Sequence, residues 1–117
     1  MNRKIIFRGW NIKYKCWDYV NNPMEDCALI DQNSVGQYTG LKDKNGKEIF
    51  EGDIVTIGNN LKAVVIWFNG SFRFKDELSC KATYLDDIGT VIRDYDVCII
   101  GNIHDNPELM KGVSNEA

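Results

Sequence analysis

The side chains with the clearest capacity for chemistry are one histidine and two closely spaced pairs of aspartates. The histidine is His104, and the pairs are Asp86 with Asp87 and Asp94 with Asp96. A hydrolase needs a nucleophile placed beside a base, and no local spacing here provides that arrangement. Asp94 and Asp96 could bind a cation from one face of a strand, but loop acids that keep strand edges soluble are the commoner case. We therefore predict no catalytic residue and no enzymatic activity.

Metal and cofactor sites also find little support in the residue spacing. The cysteines lie at positions 16, 27, 80 and 98 without a Cys-x-x-Cys pair, which favours four reduced thiols. Segment 43–46 resembles a fragment of a calcium-binding loop, but with Gly46 at the sixth loop position the first and last ligand positions fall on Leu41 and Gly52. No glycine-rich phosphate-binding pattern occurs. We predict neither a metal ion nor a cofactor.

One group of residues near the start of the chain could bind nucleic acid. Basic and aromatic side chains are interleaved there, and the candidate binding residues are Arg3, Arg8, Trp10, Lys13 and Tyr14. Basic groups contact phosphates while aromatic rings stack on unpaired bases, as in single-strand binding surfaces. The alternative is that the rings belong to the core and the basic residues are their solvent-facing neighbours. The net charge of −3 and the pI of about 5.1 favour this second interpretation.

Length and composition indicate a single soluble domain. The chain has 117 residues, of which 44% are hydrophobic and 26% charged, enough for one core. No apolar run is long enough for a membrane helix, and the apolar stretch 5–7 is too short for a signal peptide. We expect a cytoplasmic protein without membrane association. The charge is uneven, since residues 63–117 carry five basic and nine acidic side chains.

Short strand-like segments separated by turn signals must position these residues. We predict two strands with a bend at Gly9, a reversal at Asn45-Gly46, and a hairpin whose turn at Asn69-Gly70 joins an apolar strand over 61–68 to a returning strand. Further strands are expected over 80–85, 89–92 and 97–103, whereas 24–34 has no clear period.

Two local patterns complete the expected fold. Asp53 follows Gly52 and is predicted to accept backbone N–H bonds in a turn, and residues 106–110 carry the features of a helix start. The sequence therefore predicts a mainly β fold, a small barrel or sandwich with an N-terminal β-hairpin extension and a short C-terminal helix. Segment 51–55 is also similar to the first strand of SH3-like barrels, an analogy that concerns the fold alone.

Three blocks of sequence together resemble the YopX family of phage and prophage proteins. They cover residues 5–10, 37–55 and 100–109, and the middle block reads QYTGLKDKNGKEIFEGDIV. Family members usually carry an acid after the tryptophan of the first block, whereas here Trp10 is followed by Asn11. The resemblance spans nearly the whole chain and implies one domain over residues 1–117. We divide it into an N-terminal β segment (1–36), a barrel-like β core (37–105) and a short helix with a tail (106–117).

The resemblance implies a phage or prophage origin and expression in the cytoplasm of a bacterial host, with no established biochemical activity. Our preferred hypothesis is a non-enzymatic interaction module that binds a host or phage protein. The alternative is a nucleic-acid-binding module that uses the basic and aromatic N-terminal face. Self-association is a further hypothesis, because three tryptophans and five phenylalanines are many to bury in one small core.

Overall fold

The computed structural model describes residues 5–21, 29–58, 61–68, 70–76 and 84–109. Within these ranges the chain forms nine strands and one helix. They are β1 (Phe7–Asn11), β2 (Cys16–Val20), β3 (Ile30–Lys42), β4 (Glu48–Phe50), β5 (Asp53–Ile57), β6 (Leu61–Phe68), β7 (Ser71–Asp76), β8 (Tyr84–Asp87), α1 (Ile88–Asp94) and β9 (Val97–Asn102). The prediction of a mainly β protein is confirmed.

The strands form two antiparallel sheets. One sheet has four strands in the order β2-β1-β3-β4, and the other has five in the order β8-β7-β6-β5-β9. The main core cluster joins β4 and α1 to the five-stranded sheet, and its buried side chains are Ile49, Val55, Ile57, Ala63, Val65, Phe74, Ile88, Val91 and Val97. Burial of these apolar side chains is the main force holding the layers together.

The predicted N-terminal hairpin is present, but its reversal and its place in the fold differ from expectation. Gly9 lies inside β1, where a Cβ would come 2.5 Å from Ile30 Cγ2, so a larger residue would displace the isoleucine. The chain turns instead at residues 12–15, because Asn11 Oδ1 accepts backbone N–H groups from two of the turn residues, each at 2.9 Å. Strand β1 lies between β2 and β3, so the hairpin is an integral part of its sheet and not an extension.

The hairpin predicted around Asn69-Gly70 is confirmed. Strands β6 and β7 pair from Ala63 opposite Asp76 to Phe68 opposite Ser71. Gly70 has φ +81°, a left-handed conformation that glycine adopts at little cost, while its neighbour at 69 lies outside the described residues. The reversal predicted at residues 45–46 is confirmed in the same way, since Gly46 has φ +84° between β3 and β4.

Residues 88–94 form helix α1, where the sequence predicted a strand over 89–92. Asp87 caps the helix, with its Oδ1 accepting the N–H of Thr90 at 3.0 Å. Ile88 and Val91 are three residues apart and both are buried against the core. Capping and burial of one helical face therefore outweigh the β propensity of the valine, isoleucine and threonine in this segment.

The turn between β3 and β4 is tied to β9 by the carboxylate of Asp43. Its Oδ1 accepts the N–H groups of Asn45 and Lys47, each at 2.9 Å, and its Oδ2 accepts the N–H of Ile99 at 3.0 Å. Burial opposes ionisation of this carboxyl, but the three N–H bonds and the charge of Lys47 outweigh it and lower its pKa. Asp43 thus fastens the edge of the four-stranded sheet to the five-stranded sheet.

Three predicted elements lie partly outside the described residues. Residues 22–28 and 77–83 lie outside. Of the strand predicted over 80–85, residues 84–85 are described and form the start of β8, and of segment 24–34, residues 30–34 belong to β3. Glu108 and Leu109 are helical, in agreement with the predicted terminal helix, while residues 110–117 lie outside. No helix in the described part of the chain is long and apolar enough to cross a bilayer.

Candidate binding clefts between the sheets

A buried ion pair joins the two sheets at the centre of the candidate site. Arg8 of β1 donates from Nη2 to Asp53 Oδ1 of β5 at 2.6 Å, and the two residues are only 8% and 2% exposed. Asp53 Oδ2 accepts the backbone N–H of Phe50 at 2.7 Å, which confirms the predicted turn acid. The guanidinium lies 4.8 Å from the centre of the Trp17 ring and 5.0 Å from that of Phe50. Both rings thus lie within cation–π distance of the guanidinium.

The electrostatics of this pair favour a structural role. Burial raises the pKa of the Asp53 carboxyl, while the charge of Arg8 and the N–H of Phe50 act in the opposite direction. Arg8 Nε is buried without a hydrogen-bond partner among the described residues. A carboxylate that is paired and enclosed in this way is poorly placed to accept a proton from a substrate.

Three rings pack together beside the ion pair. The centroids of Trp10, Trp17 and His104 are separated by 5.3 to 5.4 Å, so the rings contact one another and leave no room for a ligand between them. Trp17 Nε1 donates to Asp105 Oδ2 at 3.1 Å, and His104 lies 3.2 Å from Asp105 and 3.7 Å from Asp31. Burial opposes ionisation of Asp105, but its bonds with neighbours including Trp17 and His104 lower its pKa.

Two open clefts lie on either side of this centre, and Arg8, Trp17 and Asn102 line both. We name them by their most exposed aromatic residue. The Tyr19 cleft has a volume of about 380 Å³ and is also lined by Tyr19, Lys47, Glu48, Phe50, Asp53, Ile99 and Gly101. The Trp67 cleft has a volume of about 450 Å³ and is also lined by Asn33, Ser34, Val35, Glu51, Gly52, Val65, Ile66, Trp67, Ile103 and His104.

The Trp67 cleft combines exposed apolar side chains with polar lining residues, among them Asn33, Ser34 and Glu51. Trp67 and Ile103 are 56% and 51% exposed. Trp67 packs edge-on against Phe72 across the hairpin, with the ring centres 4.9 Å apart. Binding sites characteristically pair apolar walls with a few well-placed polar groups, and the mouth of this cleft has that composition.

The structure disperses the predicted basic and aromatic face. Arg8 is buried in its ion pair, and Trp10 is half-buried in the ring cluster. Lys13 and Tyr14 lie in the exposed turn after β1, with Lys13 Nζ 5.3 Å from the Tyr14 ring centre. Arg3 lies outside the described residues. Of the five residues, the two in the turn are therefore the ones seen to face solvent.

The acidic pairs serve as local structure. Asp87 caps α1, Asp94 is hydrogen-bonded to Arg93 at the end of that helix, and Asp96 lies 3.6 Å from Lys44. Asp94 and Asp96 thus do not share a strand face, because the helix ends between them. The side chain of Asp86 lies outside the described part of the structure.

The clefts themselves could not be anticipated from local patterns. Arg8 and Asp53 are 45 positions apart, and nothing near either residue in the sequence indicates its partner. Trp67 could have been suspected, since an aromatic residue beside a hairpin turn projects from the end of its strand, but the apolar run around it favours burial on both faces.

Comparison with known proteins identifies the fold. A family model described as YopX protein matches residues 11–111. The chain belongs to the YopX family. Among solved structures, it is similar to the crystal structure of protein EF1440 from Enterococcus faecalis, with a TM-score of 0.59, 23% identity, and coverage of 93% of this chain and 99% of that one. No curated protein matches. The YopX resemblance is confirmed, and the match includes the second and third of the three sequence blocks, whereas the first block, 5–10, precedes it.

Proposed function

We propose that this YopX protein is a phage or prophage accessory protein that acts in the bacterial cytoplasm as a non-enzymatic protein-interaction module. The Trp67 cleft is the surface that binds the partner. The observation that carries this proposal is the exposure of Trp67 and Ile103, two large apolar side chains at the mouth of one cleft. Tryptophans in such positions frequently dominate the free energy of protein association.

Contacts between the walls of the cleft support the same function. The cleft lies between two sheets that are joined by the buried Arg8–Asp53 pair. Gly36 lies so close to the chain that a Cβ would come 2.4 Å from Glu51 O, which fixes the position of one cleft wall. A preformed surface loses little conformational entropy when a partner binds, and affinity rises accordingly.

The experiment is an affinity capture of the tagged protein from lysate of a bacterial host, with and without nuclease, read by mass spectrometry. We expect a specific protein to be retained after nuclease treatment. Capture that disappears with nuclease would instead favour nucleic-acid binding by Lys13 and Tyr14, and recovery of untagged copies of the chain would favour self-association. Either of these outcomes contradicts the proposal.

A further inference from the structure

The two clefts differ in the net charge of the residues that line them. In the Tyr19 cleft, Lys47 and Glu48 offset one another, and Arg8 is offset by Asp53. In the Trp67 cleft, Arg8 is again offset by Asp53, and with His104 neutral Glu51 is the remaining full charge among the described lining residues. With His104 neutral, the described lining of the Trp67 cleft thus carries a net negative charge, while that of the Tyr19 cleft is balanced.

Glu51 is held in place but carries no ion pair within the described ranges. Its backbone N–H donates to Gln37 O at 2.9 Å, and its Oε1 is 3.5 Å from Gln37 N, a long contact. The backbone is fixed while the carboxylate keeps most of its hydrogen-bonding capacity. Such a group is suited to accept bonds from a cation that enters the cleft.

Two further carboxylates strengthen the negative field. Asp31 and Asp105 flank the lining residue His104 at 3.7 Å and 3.2 Å. Neither lines the cleft, but their side chains are 35% and 38% exposed, so their charges add to the negative field around His104 in a form partly screened by solvent. The acidic bias of residues 63–117 has the same sign.

We infer that the Trp67 cleft binds a segment of the partner protein that carries a lysine or arginine beside an apolar residue. The cation is bound by Glu51, and its aliphatic stem and apolar neighbour pack on Trp67 and Ile103. Long basic side chains suit this geometry because their methylene stems cover apolar surface while the charged end bonds to an acid. This inference rests on the proposed function and specifies the chemistry of its ligand.

The test is selection from a displayed library of random linear peptides on the full purified chain. We expect enrichment of peptides with lysine or arginine next to an apolar residue. Their affinity should fall about tenfold in Glu51→Gln, since a charge-assisted hydrogen bond contributes about 1.4 kcal/mol. The matched control is Glu48→Gln, which removes a carboxylate from the Tyr19 cleft and should leave affinity unchanged.

Three results would overturn the inference: enrichment of acidic peptides, equal losses in both glutamine variants, or no enrichment at all. The two proposals can also fail separately. A partner captured from lysate that depends on Trp67 but binds Glu51→Gln normally would keep the interaction module and reject the basic ligand.

Discussion

The Arg8–Asp53 pair is the residue-scale contact that organises the molecule. It connects β1 of one sheet with β5 of the other, and its partners Trp17 and Phe50 enclose the charge. Removing one member of a buried pair leaves the other charge without compensation, which is far more costly than removing both. A single substitution in this pair should therefore destabilise the protein more than a single substitution in a surface ion pair.

Arg8→Met should destabilise the fold by about 3–5 kcal/mol, because Asp53 loses its counter-ion in a buried site. Arg8→Met with Asp53→Asn should cost less, since the amide oxygen can still accept the N–H of Phe50. Urea denaturation of both variants measures the difference. Equal losses in the single and double variants would contradict the interpretation.

The same single variant has a defined pH dependence. Burial already raises the pKa of Asp53 in the folded protein, and loss of Arg8 removes the charge that opposes this effect. A carboxyl with a raised folded pKa favours the folded state most at low pH, and that contribution is lost as pH rises through the folded value. The stability gap between Arg8→Met and the wild type should therefore narrow as the pH is lowered toward about 4.

For Asp43 we expect the opposite dependence of folding stability on pH. Its lowered pKa means that its contribution is present above the unfolded value of about 4 and is lost as pH falls through the folded value. Asp43→Asn should lose stability at neutral pH and show a weaker decline on acidification than the wild type. Thermal melts of both proteins between neutral pH and pH values below about 4 measure this decline in stability. Parallel declines in the two proteins would contradict the lowered pKa of Asp43.

At the scale of elements, turn chemistry is the most predictable feature. The reversals at Gly46 and Gly70 both agree with the sequence prediction, because a requirement for positive φ leaves a local mark in the sequence. The strand predicted over 89–92 is wrong, since these residues belong to helix α1. The valine and isoleucine of this segment led to that prediction because both favour strands. The aspartate at 87 followed by apolar residues at 88 and 91 is the signal that could have identified it.

Gly70→Val should destabilise the β6–β7 hairpin by about 1–2 kcal/mol, because a β-branched residue is strained at positive φ. Apart from Gly70 itself and its two chain neighbours, no heavy atom of the described residues lies within 4 Å of the position that a Cβ would occupy, so the loss would come from the backbone and not from a clash. Gly70→Asn is the matched control, since asparagine tolerates this conformation better. Thermal melts in which valine and asparagine behave alike would argue against a backbone origin.

At the scale of the whole molecule, long-range pairing decides where the functional surface lies. The sequence predicted a mainly β domain of the YopX family, and both expectations are confirmed. It could not predict that Arg8 would turn inward to Asp53, since that contact depends on how the two sheets face each other. The interpretation of the N-terminal aromatic residues as core fits Trp10 and Trp17, which are half-buried, but not Tyr14, which is 65% exposed.

The central claim is that the Trp67 cleft binds a protein partner, and capture from lysate with two matched variants tests it most directly. Trp67 and Tyr95 are similarly exposed, at 56% and 58%, but Tyr95 precedes β9 at the opposite end of the five-stranded sheet. We predict that Trp67→Ala loses the nuclease-resistant partner while Tyr95→Ala retains it, with both variants folded by circular dichroism. Retention of the partner by Trp67→Ala would contradict the account.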